Sequence, residues 1–295
     1  MESMKKNISS IILFLLPASV VYLGIVAIPV CSTVSNSFLK WNLVGSKVFV
    51  GLSNFEQLFT VDRIFIGSMK NTLLLLVLSI VIQIPLAILL AIALSSGLKW
   101  TRYFKTVFFM PNILASVAIG LMWTFIYDPE NGLINQFLVL IGLKNSTGLW
   151  LADEKTVLLS IMIVLCWQFI GYHMILFLAA IENIPASLNE IAILDGATFW
   201  RKIRYITLPL IKPIIKIDAV LLATGSLRYF DLIYVMSNGG PNHSSEVLAL
   251  YMYYKSFRDM QYGLGSAIAV ILLIMCLLVA AILNKAFKTE DVQFY

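Results

Sequence analysis

Apolar and polar positions alternate along this chain on the scale of whole helices rather than single residues. Six apolar runs, near residues 11–34, 72–94, 107–127, 157–181, 214–236 and 264–283, are separated by segments that hold nearly all the charge. An α-helix rises 1.5 Å per residue, so about 20 apolar residues cross the roughly 30 Å of bilayer hydrocarbon. The pattern therefore predicts an all-α polytopic membrane protein with six transmembrane helices and both termini on one side. The first run follows Lys5 and Lys6, as in a signal peptide. It continues for about twice the length of a signal core, and no small-x-small cleavage site closes it, so a retained helix is expected.

Composition supports the same reading. The chain is 60% hydrophobic and 13% charged, against about 45–50% and about 25% in soluble domains, which excludes a soluble globular protein. The net charge of +5 is a topology signal, because no basic run is interleaved with the exposed aromatics of a nucleic-acid surface. With the N-terminus inside, Lys5, Lys6, Lys99, Arg102, Lys105, Arg201, Lys202, Arg204, Lys212, Lys216, Lys285 and Lys288 fall on the cytoplasmic side. Only Lys40, Lys47, Arg63, Lys70, Lys144, Lys155, Lys255 and Arg258 fall outside, which favours N-in and C-in. Cys31, Cys166 and Cys276 lie in separate apolar runs with no C-x-x-C pair and no clustered histidine, so neither a disulfide framework nor a metal site is expected. The outer loops, near 38–70, 128–156 and 237–262, are too short for an enzymatic domain, so residues 1–295 are read as a single transmembrane domain. The sequence contains no G-x-x-x-x-G-K-[ST] phosphate loop, so no cofactor is expected here and any ATP would be bound by partner subunits.

The cytoplasmic segment 182–213 carries the most information. Ser187 and Glu190 have the spacing of a capping box, which predicts a helix start. Asp195-Gly196 should end that helix, and Thr198 should cap a second one running to a stop at Leu208-Pro209. Leu188, Ile191, Ala192 and Leu194 give the first helix an apolar side too short to span a membrane, as expected of a surface that docks on protein. The string Glu190-Ile191-Ala192-x-x-Asp195-Gly196-Ala197, followed by Ile206-x-Leu208-Pro209, resembles the EAA loop of permease subunits in binding-protein-dependent ABC importers. Ile191 departs from the usual Ala and Ile203 from the usual Phe, and both stay apolar. The resemblance implies that Glu190, Ala192, Asp195, Gly196 and Ala197 couple this chain to an ATPase subunit. A plain cap at Glu190 and a plain turn at Gly196 are the competing reading.

A second succession, Ser237-Asn238-Gly239-Gly240-Pro241, then Glu246, Tyr251-Met252-Tyr253-Tyr254, Phe257 and Tyr262-Gly263, resembles the carbohydrate branch of these permeases, related to the maltose, raffinose and multiple-sugar transporters. That branch implies a second homologous permease, two cytoplasmic ATPases, an extracellular or periplasmic binding protein, and an oligosaccharide as cargo. It places the complex in the bacterial cytoplasmic membrane, in contact with membrane lipid and with no nucleic acid.

Sugars need hydrogen-bonding groups around their hydroxyls and aromatic faces against their rings. By distance from the two landmarks, the resemblance brings Asn112, Ser116, Trp167, Gln168, Thr224 and Arg228 to a midplane sugar site. Charge inside a membrane costs roughly 2.5–3.5 kcal/mol and marks a functional or paired group. Arg228 and Asp231, three residues apart in the fifth run, are expected on one helix face. Arg228 would donate to sugar hydroxyls with Asp231 orienting it, or the two would form a structural ion pair. Trp123 and Tyr127 read as interfacial belt residues, and His173 as a packing or interhelical hydrogen-bonding group rather than a ligand. The alternative function is a secondary transporter driven by an ion gradient, which leaves the cytoplasmic knob unused. An intramembrane enzyme would have only His173 with Asp231 to offer.

Overall fold

The computed structural model describes residues 2–42, 45–96 and 99–287, so Lys288 of the cytoplasmic charge set lies outside them. The first apolar run forms α1 (Glu2–Tyr22) and α2 (Ile28–Ser37) around a π-turn at Leu23–Ala27. An outer loop pairs β1 (Leu39–Lys40) antiparallel with β2 (Val48–Phe49) and ends in α3 (Ser53–Thr60). The second run is α4 (Arg63–Leu78), a π-turn at Ser79–Gln83 and α5 (Ile84–Ser95). The third is α6 (Thr101–Ile113) and α7 (Ser116–Ile126), with α8 (Leu133–Leu140) in the following loop. The fourth is α9 (Val157–Glu182), and α10 (Ala186–Leu194) and α11 (Phe199–Lys202) build the cytoplasmic knob. A π-turn at Ile203–Thr207 leads into α12 (Leu208–Ser226), α13 (Asp231–Met236) and α14 (Leu248–Tyr253). After a last π-turn at Tyr254–Arg258 the sixth run is α15 (Tyr262–Ala286).

Four expected spans are continuous and apolar enough to cross a membrane: Leu13–Ser37, Arg63–Ser95, Val157–Glu182 and Tyr262–Ala286. The third and fifth are not single helices. α6 and α7 meet at 99°, because the backbone is extended at Leu114 and Ala115. α12 and α13 are separated by residues 227–230. Hydropathy measures apolar length and is blind to a broken hydrogen-bond ladder. Non-helical backbone at membrane depth is tolerated only against protein or a water-lined path, and Leu114, Ala115 and Arg228 at these breaks are exposed in the isolated chain.

Prolines account for three of the π-turns, which end two residues before Pro29, Pro85 and Pro209. Proline has no N–H, and its ring crowds the carbonyl four residues back. A wider turn just ahead relieves that clash without breaking the helix. Leu208-Pro209 is therefore no stop: Pro209 sits in the first turn of α12, and the helix continues into the membrane.

The chain divides into two compact units, Met1–Asp62 with Tyr251–Leu273, and Arg63–Leu250 with Ile274–Tyr295. In the larger unit α9 is the central helix. Ile84, Ala87 and Ala91 of α5 pack on Met174, Phe177 and Leu178 of α9, with Ala219 and Leu222 of α12 closing the cluster. α6 approaches so closely that a Cβ on Gly171 would lie 1.9 Å from the Phe108 carbonyl oxygen. Gly120 likewise admits Val235, placing α7 on α13. In the smaller unit a Cβ on Gly263 would meet the Leu39 carbonyl oxygen at 1.9 Å, so the start of α15 lies directly on the outer ribbon.

Each outer loop is tied by one asparagine. Asn54 donates to the carbonyls of Ser37 (2.8 Å) and Leu39 (3.0 Å). Asn71 donates to those of Ser244 and Glu246, both at 2.9 Å. Asn135 donates to Pro129 and Gly148 carbonyls and accepts from the Gly148 amide and the Trp150 indole. A primary amide can donate and accept in one plane, which suits it to closing loops whose backbone groups lack strand or helix partners.

Candidate functional site

The knob forms where the sequence places it but closes differently at its start. Pro185, not Ser187, is the N-cap of α10, and no side-chain cap bond forms. Ser187 lies inside the first turn, so the capping box is not made. Thr198 does occupy the N-cap of α11, again without a side-chain cap bond. The other end is a full Schellman closure: the Ala197 amide donates to the Ala192 carbonyl at 2.8 Å and the Gly196 amide to Ile193 at 3.0 Å. Gly196 has φ +71°, with nothing within 4 Å of a Cβ placed there, so glycine is required by the backbone and not by packing. Ala192 faces inward and seats the helix. Glu190 and Asp195 are exposed, as are the large apolar side chains Ile191, Ile193 and Leu194, the last at 86%. An exposed, contiguous apolar surface on a short helix is a protein-docking feature.

Two connections carry the knob into the membrane. Lys105 of α6 pairs with Glu182 at the end of α9 (2.8 Å), just before the knob. Deeper, His173 of α9 and Asp218 of α12 are both buried, with Nδ1 and Oδ1 2.6 Å apart. The two groups form one hydrogen bond between the helices. His173 is thus an interhelical hydrogen-bonding group, with Asp218 as its partner. Asp218 is not among the residues that the sequence motifs single out. Its signal was available: it is an acid within the fifth apolar run, two residues beyond Lys216.

Around the break in the third run, the Gln168 amide of α9 donates to the Ser116 hydroxyl, the first residue of α7, at 3.1 Å. Asn112 is half-buried in the last turn of α6. Trp167, 37% exposed, meets Trp123 edge-on with ring centroids 5.6 Å apart. Trp123 in turn lies 5.3 Å from Tyr127, whose ring is 6.2 Å from Trp150. Tyr127 is 3% exposed and donates to the Ser160 carbonyl, so it is an interior residue rather than a membrane-belt one. Trp123, half-buried, belongs to the same aromatic row beside Trp167, and the belt reading of Tyr127 is corrected. An aromatic count along α7 could not separate the two, because lipid-facing and interior faces of a membrane helix are equally apolar.

At the second break Thr224 keeps its hydroxyl bond within α12, to the Val220 carbonyl at 2.8 Å, and its own carbonyl accepts from Arg228 Nε at 3.1 Å. Arg228 lies beyond the end of α12, whereas Asp231 opens α13, so they do not share a helix face. They form no ion pair among the described residues, and both are exposed in the isolated chain. The structure thus joins Ser116 with Gln168 and Thr224 with Arg228, and leaves Asp231 apart from Arg228.

Residues 83–288 match the family model described as the binding-protein-dependent transport system inner membrane component. The chain is 39% identical over 280 residues to the probable ABC transporter permease protein YurN of Bacillus subtilis, covering 94% of this chain and 95% of that one. It is 31% identical to the arabinooligosaccharides transport system permease protein AraP of the same organism, covering 94% and 89%. Among solved structures it resembles a chain of a bacterial ABC transporter involved in import of the acidic polysaccharide alginate, with TM-score 0.86, 25% identity and coverage of 98% and 99%.

Proposed function

Because the chain belongs to the binding-protein-dependent transport system inner membrane component family, we propose that it is the non-catalytic membrane subunit of an ATP-driven carbohydrate importer in the bacterial cytoplasmic membrane. An oligosaccharide is the cargo class favoured by the arabinooligosaccharide and alginate relatives. The partners are a second homologous permease, two cytoplasmic ATPases and an external binding protein. A solved alginate transporter in complex with a pentasaccharide-bound periplasmic protein supports that last partner. The ion-gradient alternative finds no support, since it gives the exposed knob nothing to dock.

The observation that carries the reading is the knob itself, a short helix with exposed Ile191, Ile193 and Leu194, closed at Gly196 and continuous with the membrane helices on both sides. Closure of the ATPases on ATP would push α10. The push passes back into α9 and forward through the π-turn at Ile203–Thr207 into α12. The His173–Asp218 bond and the Lys105–Glu182 pair tie α12 and α6 to α9, so the three move together. The breaks at Leu114–Ala115 and 227–230 are where that body hands over to α7 and α13, which pack on each other. Rigid bodies joined at such breaks produce alternating access by hinge motion. Asn112, Ser116, Trp167, Gln168, Thr224, Arg228 and Asp231 border the breaks, and we assign them to the sugar path, with Trp167 offering a ring face and the others hydrogen bonds.

Glu190→Lys or Gly196→Pro in the assembled transporter is expected to abolish ATP-driven uptake while membrane insertion and complex assembly persist. Uptake at the native rate in both variants would overturn the coupling role of the knob.

A further inference from the structure

A groove of about 860 Å³ runs between α5 and the returning arm of the knob. On one side are Pro85, Leu89 and Ala93 of α5; on the other, Phe199, Trp200 and Leu208. One lining residue is charged, Arg204, and it is exposed and has no acidic partner among the described residues. We propose that this groove seats one anionic phospholipid of the inner leaflet, with an acyl chain along α5 and the phosphate at Arg204.

Three features select that occupant over a bare hydrophobic partner. The lining is hydrocarbon with a single cation, matching an amphiphile with one anion and a long apolar tail. The α5 side belongs to a continuous membrane span, so the groove opens at the depth where acyl chains lie. Residues 196–217, which supply Phe199, Trp200, Arg204 and Leu208 to the groove, hold Arg201, Lys202, Arg204, Lys212 and Lys216 and no acid, so this arm is basic on the side that charge assigns to the cytoplasm. Basic pockets between membrane helices on that side attract anionic head groups, and each cation near the surface contributes about fivefold in affinity. Trp200 sits one helical turn before Arg204 and is 70% exposed, a suitable reporter of what fills the groove. The proposal rests on membrane insertion and not on the identity of the cargo.

The test uses the assembled transporter in phosphatidylcholine nanodiscs doped with acyl-brominated phosphatidylglycerol or acyl-brominated phosphatidylcholine. Quenching of Trp200 is taken as the difference between the native complex and its Trp200→Phe variant. The expected result is half-quenching at about a fivefold lower mole fraction of the anionic lipid. Arg204→Gln should make the two lipids equivalent, and Arg204→Lys should keep the preference. Equal quenching by both lipids in the native complex, or an unchanged preference in Arg204→Gln, would overturn the proposal. Absence of quenching by either lipid would also overturn it and assign the groove to a protein contact.

Discussion

Asp218 is wholly buried in the fifth apolar run, and among the described residues only one of its carboxylate oxygens, the one facing His173, has a hydrogen-bond partner. Removing one member of a buried polar pair leaves the other desolvated and unpaired, which typically costs about 3–5 kcal/mol, whereas replacing both by apolar residues of similar size is often neutral. Asp218→Ala is therefore expected to lower the thermal unfolding midpoint of the purified complex sharply. Asp218→Asn, whose carbonyl still accepts from the imidazole, should lower it little. The double variant His173→Phe with Asp218→Leu should recover most of the loss, yet still transport less per ATP hydrolysed, because α9 and α12 lose the bond that makes them move as one. A double variant as unstable as Asp218→Ala would show that the two residues do not act as a pair. By contrast, Arg228 and Asp231, neighbours in the sequence of the fifth run, lie at two helix ends and form no ion pair with each other among the described residues. Charge in an apolar run could be read from sequence; which charge met which partner could not.

Helices show the same division between what pattern encodes and what packing decides. The six apolar runs correspond to real segments because bilayer thickness imposes a length, and the knob was legible because Gly196 must supply a left-handed residue at a helix end. At 227–230 Arg228 signals charge in the run without signalling a helix end, and the break at Leu114–Ala115 was not legible, since it leaves no polar gap in the hydropathy. Nor was the π-turn that lets α12 run through Pro209. Two glycines make the contrast testable. At Gly171 the obstacle is the backbone of Phe108, which cannot rotate away, so Gly171→Ala must push α6 off α9 and should destabilise by about 1–3 kcal/mol. At Gly196 only the φ angle objects, so Gly196→Ala should cost about 1–2 kcal/mol of local turn stability and Gly196→Asn much less. Thermal unfolding should register Gly171→Ala. Hydrogen exchange should find the Gly196→Ala change confined to α10 and α11. Global destabilisation by Gly196→Ala, or none by Gly171→Ala, would contradict these assignments.

At the scale of the molecule, the isolated chain is incomplete. Phe14 at 84% and Leu13 at 71% exposure suit lipid or a neighbouring helix, but Arg228 and Asp231 are exposed too, within the span region. An ionised group at membrane depth faces protein or water and not acyl chains, because the lipid-facing alternative costs roughly 2.5–3.5 kcal/mol per residue on insertion scales. A second permease packed against that face would enclose both residues in a shared path. The proposed coupling places the drive outside this chain, at the knob. Reconstitution in liposomes should therefore give cargo uptake only when the partner permease, the ATPase and the binding protein are all present with ATP. Leaving out any one should reduce uptake to background. A protonophore with valinomycin, which collapses proton and potassium gradients, should leave uptake unchanged. Uptake by this chain alone, or uptake lost on gradient collapse while ATP remains, would replace the ATP-driven reading with the ion-gradient one.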